Sequence, residues 1–193
     1  MKTVIVVMCS VMLWALAASA QVDPGANGIG IYAELGGLTN EVELEAGTPM
    51  EVYLLLTRPT GQLKLGGWEC HIDVPDNVVI WGWNHPHPGT MTFATPPDFM
   101  SVFTPIPYAD VNHLMTFIIV PLDAEPARFF IGPYPYYDLT LPRYLDADYD
   151  GPMISNLIDA IPYAGGEEPC FVVNGGSVPI ADASWGEVRA LYR

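Results

Sequence analysis

Three aspartates late in the chain alternate with single residues in a pattern that could bind a divalent cation. Asp146, Asp148 and Asp150 are followed directly by Gly151. In calcium-binding loops the first, third and fifth positions supply oxygen ligands, and the next glycine allows a sharp turn. Calcium is a hard cation that prefers such oxygens. The spacing therefore predicts a calcium site at these three carboxylates.

The rest of this segment departs from the EF-hand loop. Its twelfth position is Leu157, where that loop has a bidentate glutamate, and no helix clearly precedes it. Asn156, Asp159 or backbone carbonyls would have to complete the coordination, so the site would be structural rather than a calcium sensor. The alternative is an exposed acidic turn whose three like charges stay solvated.

A second group with chemical potential is formed by Trp81, Trp83, His85 and His87, which fall at every second position. On an extended strand, alternate side chains share one face. One interpretation is an aromatic platform for a sugar ring, or a histidine pair for a metal ion. The other, which we favour, is that both tryptophans lie in the core and that the His-Pro-His-Pro segment leaves the sheet.

No motif typical of catalysis accompanies these groups. The sequence has no His-Glu-x-x-His zinc motif. The stretch Gly175-Gly176-Ser177 is not a nucleophile elbow, because Pro179 stands where that motif has its second glycine. We therefore expect a protein that is not an enzyme and has no catalytic residues.

The first twenty residues have the features of a secretory signal peptide. Lys2 precedes an apolar run from Val4 to Ala18, and the run ends in Ala18-Ser19-Ala20, a small-x-small site for signal peptidase. Roughly 15 apolar residues are fewer than the about 20 that a membrane span requires. Residues 1–20 are thus predicted to be cleaved. Residues 21–193 then form a single domain, secreted or at the cell surface, with no further membrane span.

The charge of the chain limits its partners. The sequence has 7 basic and 22 acidic residues, a formal net charge of −15. Loss of Lys2 with the signal peptide makes the charge one unit more negative. Nucleic acid is excluded as a partner, because binding it requires lysines and arginines that neutralise phosphates. We expect an extracellular glycan or protein ligand, with self-association as an alternative.

Two cysteines remain after signal cleavage, Cys70 and Cys170, because Cys9 lies in the signal peptide. An even pair in an oxidising compartment predicts one disulfide. It would close a loop of about 100 residues and stabilise the fold by as much as ~4–5 kcal/mol in the chain-entropy model. The alternative is two buried thiols that are not linked.

These groups must be positioned by strands, because short runs rich in Val, Ile and aromatic residues alternate with dense Pro and Gly, a pattern typical of β-sandwiches. Pro75-Asp76-Asn77 predicts a tight turn that joins two strands as a hairpin over 67–83. The apolar run 114–120 predicts a central strand buried on both sides. The predicted strands are 29–34, 42–45, 51–57, 67–74, 78–83, 91–94, 114–121, 128–131 and 171–173.

Two regions do not read as strands. Residues 132–168 are rich in Pro, Tyr and Asp, so we expect an irregular excursion with one helical turn at 155–161. Near the C-terminus, Ser184 and Glu187 form a capping box, which predicts a short terminal helix. The sequence therefore indicates an all-β fold, an antiparallel β-sandwich followed by a short C-terminal helix.

The strand layout resembles a known kind of module. The stretch from Gly66-Gly67-Trp68-Glu69-Cys70 to Pro75, then 78–82, 114–122 and 129–133, is similar to cohesin-like secreted β-sandwiches. The ending Trp185-Gly186-Glu187-Val188-Arg189-Ala190-Leu191-Tyr192-Arg193 resembles the tail of uncharacterised exported bacterial proteins. The resemblance implies a jelly-roll or cohesin-like sandwich that binds a protein or a glycan without catalysis.

The sequence leaves three function classes in order of preference. The first is a secreted, non-catalytic binding or adhesion module for a glycan or protein ligand. The second is a structural subunit of an extracellular surface layer or filament, assembled through the terminal helix or an exposed edge strand. The third is a secreted hydrolase.

Overall fold

The computed structural model describes residues 25–136, 138–150 and 154–175. Within these residues the fold consists of thirteen strands and one 3-10 turn at Tyr163–Gly166. The strands are β1 (Gly28–Tyr32), β2 (Glu41–Val42), β3 (Met50–Thr57), β4 (Leu65–Asp73), β5 (Val78–Asn84), β6 (Met91–Thr92), β7 (Asp98–Ile106), β8 (Val111–Pro121), β9 (Ala127–Gly132), β10 (Arg143–Asp148), β11 (Ile154–Asp159), β12 (Ile161–Pro162) and β13 (Phe171–Val173).

The smaller sheet has five strands in the order β12-β1-β3-β8-β5. All of its pairings are antiparallel except that between β1 and β12. The predicted central strand is β8, which is paired on both edges, by β3 and by β5. Its outer face is only partly covered, because Thr116 and Ile118 alternate with buried neighbours.

The larger sheet has eight strands and is organised around β4. Strand β7 pairs with one edge of β4 over residues 65–71. Strands β10 and β9 therefore share the opposite edge, β10 over residues 65–69 and β9 over residues 71–73. Beyond them, β11 pairs with β10 and β13 pairs with β9. Strand β6 extends the sheet beyond β7, and β2 extends it beyond β13.

The core lies between the two sheets. Strand residues with alternating burial point inward, including Leu54 and Phe117 from the smaller sheet and Phe129, Tyr144 and Phe171 from the larger one. The all-β sandwich expected from the sequence is confirmed. All nine predicted strands overlap observed ones, because each combines β-branched or aromatic residues with flanking turn residues.

The hairpin predicted over residues 67–83 is wrong. The turn itself forms, with the Val78 amide donating to the Pro75 carbonyl at 3.1 Å. However, β4 belongs to the larger sheet and β5 to the smaller one, so the turn carries the chain across the sandwich. A tight turn determines that the chain reverses. It does not determine whether the two strands pair with each other.

Residues 132–168 contain more regular structure than predicted. They include β10, β11 and β12, and the helical turn expected at 155–161 is instead strand β11 and the start of β12. Strand β11 is almost wholly exposed at one edge, so it shows no alternation of polar and apolar residues. Strand β7 was also missed. The predicted signal peptide and the C-terminal helix lie outside the described residues.

Within the described parts of the chain, no helix has the length and apolar character to cross a bilayer.

Candidate binding groove

The outer face of the larger sheet carries an apolar row that crosses five strands. The paired positions are Met91 on β6, Val102 on β7, Gly67 on β4, Leu145 on β10 and Leu157 on β11. Paired residues on adjacent strands lie about 4.8 Å apart, so the row is about 19 Å long. We call this set the apolar row.

Gly67 has no side chain, so the surface at the centre of the apolar row lies closer to the backbone of the sheet than at its ends. A Cβ atom at this position would lie 2.5 Å from the Ser101 carbonyl oxygen and 3.2 Å from Val102 Cα, because β7 approaches β4 closely where their register shifts. Only glycine fits this approach. A groove of about 600 Å³ lies over this part of the sheet. Its lining comes from β4, β7, β10 and β11: Trp68, Glu69, Met100, Ser101, Val102, Arg143, Leu145, Ser155, Asn156 and Leu157.

A buried ion pair borders the apolar row. Arg143 and Glu69 are directly paired on β10 and β4. Arg143 Nε and Nη2 lie 2.6 and 2.5 Å from Glu69 Oε1. Glu69 is only 5% exposed. Removing a charge from water is costly unless it is paired, so the contact with Arg143 is what allows the Glu69 carboxylate to be buried.

The two ends of the apolar row present large apolar side chains to solvent. Met91 is 58% and Leu157 52% exposed. Phe93, whose amide donates to the Met100 carbonyl at 2.8 Å, is 62% exposed beside Met91. Scattered apolar side chains are ordinary on protein surfaces, whereas an aligned set that continues into a groove marks an interaction site.

A second polar cross-strand contact follows on β4 and β7. His71 Nδ1 lies 2.6 Å from Asp98 Oδ1, and the two residues are directly paired. Both side chains are partly exposed. The sheet therefore carries polar cross-strand pairs on one side of the apolar row.

Asp146, the first predicted calcium ligand, is buried and accepts three hydrogen bonds from protein donors. Its Oδ1 accepts hydrogen bonds from the Leu63 amide at 2.8 Å and the Tyr108 hydroxyl at 2.9 Å, and its Oδ2 accepts one from the Gln62 amide at 3.2 Å. Burial, with this hydrogen bond, raises the pKa of Tyr108. The carboxylate thus anchors the loop that precedes β4.

Asp148 and Asp150 share a different partner, Lys64. Lys64 Nζ lies 3.3 Å from Asp148 Oδ1 and also contacts Asp150 Oδ2. The Asp150 amide donates to Asp148 at 3.1 Å, and this bond, with Lys64, lowers the pKa of Asp148. The acidic turn is therefore neutralised in part by a lysine.

The two additional candidate ligands, Asn156 and Asp159, lie at different positions along the paired strands. Asn156 is paired with Asp146 across β11 and β10, whereas Asp159 is paired with Arg143 at the other end of these strands. Among the described residues, no group of three or more His, Cys, Asp or Glu is placed to hold a metal ion. The calcium site stays a prediction. The predicted ligands do not form a cluster in this part of the structure.

The tryptophans do not share a face. Gly82 between them has φ 74° and the register of β5 against β8 shifts there, which is a β-bulge. Trp81 consequently points to solvent and is 56% exposed. Trp83 packs on the core, with its ring centroid 4.8 Å from those of Phe99 and Phe117. The core interpretation holds for Trp83 and is wrong for Trp81.

The two histidines leave the strand, as the core interpretation expected. The ring of His87 lies 4.3 Å from that of Phe103, and its Nε2 lies 2.8 Å from the His113 carbonyl oxygen. The ring of His85 lies 5.9 Å from that of Trp68, and burial lowers the pKa of His85. Each ring is thus held in its own packing contact.

The predicted disulfide between Cys70 and Cys170 is not formed, and both cysteines are free and buried. Strand β9 lies between β4, which carries Cys70, and β13, which Cys170 immediately precedes. Two strand spacings are about 9.6 Å. A disulfide requires Cα atoms within about 7 Å. Both residues therefore contribute to the core as thiols.

Sequence analysis missed the residues that shape the groove. One signal was present, because Gly66-Gly67 inside an apolar strand pattern indicates a bulge or a close backbone approach. A second was Glu69, a lone acid between Trp68 and Cys70, which requires a partner once buried. That partner, Arg143, is 74 positions away, so only the pairing of β4 with β10 reveals it.

Comparison with known proteins finds no protein-family model that matches the chain and no curated protein that matches it. Solved structures do match, and those compared here are cohesin modules or contain one. The cohesin module of a Clostridium perfringens family 33 glycoside hydrolase has a TM-score of 0.43 at 9% identity, over 70% of this chain and 98% of that one.

Two further solved structures match with a similar or lower TM-score. A chain of the CaDoc0917–CaCohA2 complex has a TM-score of 0.43 at 12% identity, over 69% of this chain and 98% of that one. A non-cellulosomal cohesin from Archaeoglobus fulgidus has a TM-score of 0.34 at 9% identity, over 55% and 79%. At these values the likeness assigns neither family nor function, and the sandwich rests on the strands themselves.

Proposed function

We propose that the chain is an exported, non-catalytic binding module that holds a protein ligand in the groove of the larger sheet. The observation that carries the proposal is the apolar row, which runs from Met91 to Leu157 across five strands with exposed side chains at both ends. Export rests on the features of residues 1–20 described above.

The chemistry of the groove favours a protein over a glycan. Its lining includes aliphatic and thioether side chains, and its aromatic ring, Trp68, is only 3% exposed, so it offers no open platform for a sugar. The charged lining residues, Glu69 and Arg143, are committed to each other. An α-helix is about 10 Å wide. A groove lined by four strands, about 14 Å of sheet, can therefore accept an apolar helical or extended segment of a partner.

Site-specific photo-crosslinking tests this proposal. The mature chain is prepared with a benzoylphenylalanine in place of Met91 or of Leu157, and each form is irradiated with the exported proteins of the native organism. We expect both positions to capture the same partner, because they mark the two ends of the apolar row that runs through the groove. Leu145→Arg, which places a charge in the middle of the apolar row, should abolish both adducts.

The matched control carries the crosslinker at Ile161, which is exposed at an edge of the smaller sheet. It should capture nothing in common with the groove positions. Equal capture from Ile161, or no partner common to Met91 and Leu157, contradicts the proposal. Capture of a second copy of this chain at both groove positions would instead favour the surface-layer or filament subunit.

A further inference from the structure

The outer face of the smaller sheet carries a second surface, which lies on the opposite side of the sandwich from the groove. The bulge at Gly82 turns both Trp81 and Asn84 outward, while Trp83 between them enters the core. Trp81 and Asn84 are both exposed, and more than half of the Trp81 surface is accessible. The bulge therefore presents an indole ring on the outer face of this sheet.

Two rows of paired residues extend from these positions across β5, β8 and β3. The first row is Trp81, Ile118 and Glu51, and the second is Asn84, Thr116 and Tyr53. Members of a row that are two strands apart have Cα atoms separated by about 9.6 Å. The Glu51 carboxylate and the Tyr53 phenol thus lie two strands away from Trp81 and Asn84 in the same two rows.

The polar groups of these rows are held in place by contacts with one another. The Tyr53 hydroxyl donates to Glu51 Oε1 at 2.5 Å. The Tyr53 ring meets the His113 ring edge-on, with centroids 5.5 Å apart, and His113 Nε2 lies 2.8 Å from Thr116 Oγ1. Such contacts fix side-chain orientation before a ligand arrives, which reduces the entropic cost of binding.

We propose that this surface, defined by Trp81, Asn84, Thr116, Glu51 and Tyr53, binds a neutral pyranose unit of a polysaccharide. The apolar face of the sugar stacks on the Trp81 indole. Glu51 accepts hydrogen bonds from its hydroxyls, and Asn84 both donates and accepts. The carboxylate and the acidic chain disfavour uronic acids and sialic acids. The module would then hold a glycan on one sheet and its protein ligand on the other.

Tryptophan fluorescence provides the test. The mature chain is titrated with cellohexaose, xylohexaose, mannohexaose and chitohexaose, with polygalacturonate as the acidic comparison. We expect at least one neutral hexasaccharide to shift the emission saturably, because Trp81 passes from water to a sugar face. Trp81→Ala should weaken that binding at least tenfold in calorimetry, and Glu51→Gln should weaken it several-fold. Polygalacturonate should not bind.

Three controls separate this site from other effects. Tyr136→Ala removes an exposed aromatic side chain outside this surface and should leave sugar binding unchanged. Leu145→Arg alters the groove and should also leave it unchanged, so the two proposals can fail independently. An unchanged melting temperature for Trp81→Ala shows that the loss is not one of folding. No binding to any neutral hexasaccharide, or equal binding by Trp81→Ala, overturns the proposal.

Discussion

The guanidinium of Arg143 contacts one oxygen of Glu69 through two nitrogens, Nε at 2.6 Å and Nη2 at 2.5 Å, across directly paired positions of β10 and β4. This contact joins the strand at the centre of the larger sheet to a strand 74 positions later in the chain. It also lies beside the apolar row, so it couples the stability of the fold to the shape of the groove.

Removing the arginine should destabilise the protein strongly. Arg143→Met leaves the Glu69 carboxylate buried without its counter-charge, which costs about 3–5 kcal/mol in comparable pairs. The double variant Glu69→Leu/Arg143→Met removes both charges and should recover most of that loss. Urea denaturation at neutral pH measures both free energies of unfolding. A double variant as unstable as the single one would show that the strands, rather than the unpaired charge, account for the loss.

Gly67 should not tolerate a side chain. Gly67→Ala brings a Cβ to within 2.5 Å of a backbone oxygen of β7, so β4 and β7 must move apart. We expect a loss of roughly 1–3 kcal/mol from overpacking. Gly132→Ala is the matched control, because it lies in the same sheet and a Cβ there meets nothing within 4 Å. Similar unfolding midpoints for the two variants would contradict the close approach.

The two neighbouring tryptophans should differ sharply in their effect on stability. Trp83→Ala empties a space between Phe99 and Phe117 and should cost about 3–5 kcal/mol. Trp81→Ala changes a solvent-facing side chain and should stay within about 0.5 kcal/mol of the wild type. Thermal or urea unfolding decides between them. Equal losses would mean that β5 has no bulge at Gly82.

The mature protein should carry two free thiols that are inert while it is folded. Burial raises the pKa of Cys170 to about 12 and also raises the pKa of Cys70. Alkylation at pH 8 without reductant should add nothing to the native protein and two adducts in denaturant, as read by intact mass. If denatured protein is alkylated only after reduction, Cys70 and Cys170 are bonded and the strand order is wrong.

Calcium binding at the acidic turn would require displacement of Lys64. If the ion binds Asp148 and Asp150, Lys64→Met should bind it more tightly than the wild type, because the competing cation is gone. Stabilisation follows RT ln(1 + [L]/Kd), about 2.7 kcal/mol at a hundredfold excess. Melting curves in millimolar calcium and in chelator measure it, with Asp148→Ala as the control. Identical curves in both conditions for wild type and Lys64→Met would remove the calcium site.

Local sequence was enough to locate strands and turns. Residues 51–57 and 114–121 read as strands because β-branched and aromatic residues follow each other between turn residues, and Pro75-Asp76-Asn77 reads as a turn because proline restricts φ. These preferences depend on the residues themselves and their nearest neighbours. For the same reason the sequence was enough to predict the all-β class and to predict no long helix within the described residues.

Pairing between distant strands was decided only by the tertiary structure. The turn at Pro75 does not tell whether β4 and β5 join, and Cys70 and Cys170 look like a pair until β9 is placed between their strands. Side chains on a strand alternate between its two faces, so one extra residue reverses the faces of all residues beyond it. The bulge at Gly82 therefore places Trp81 on the opposite face from Trp83. Sequence periodicity assumes an unbroken strand, and the contacts that break it come from elsewhere in the chain.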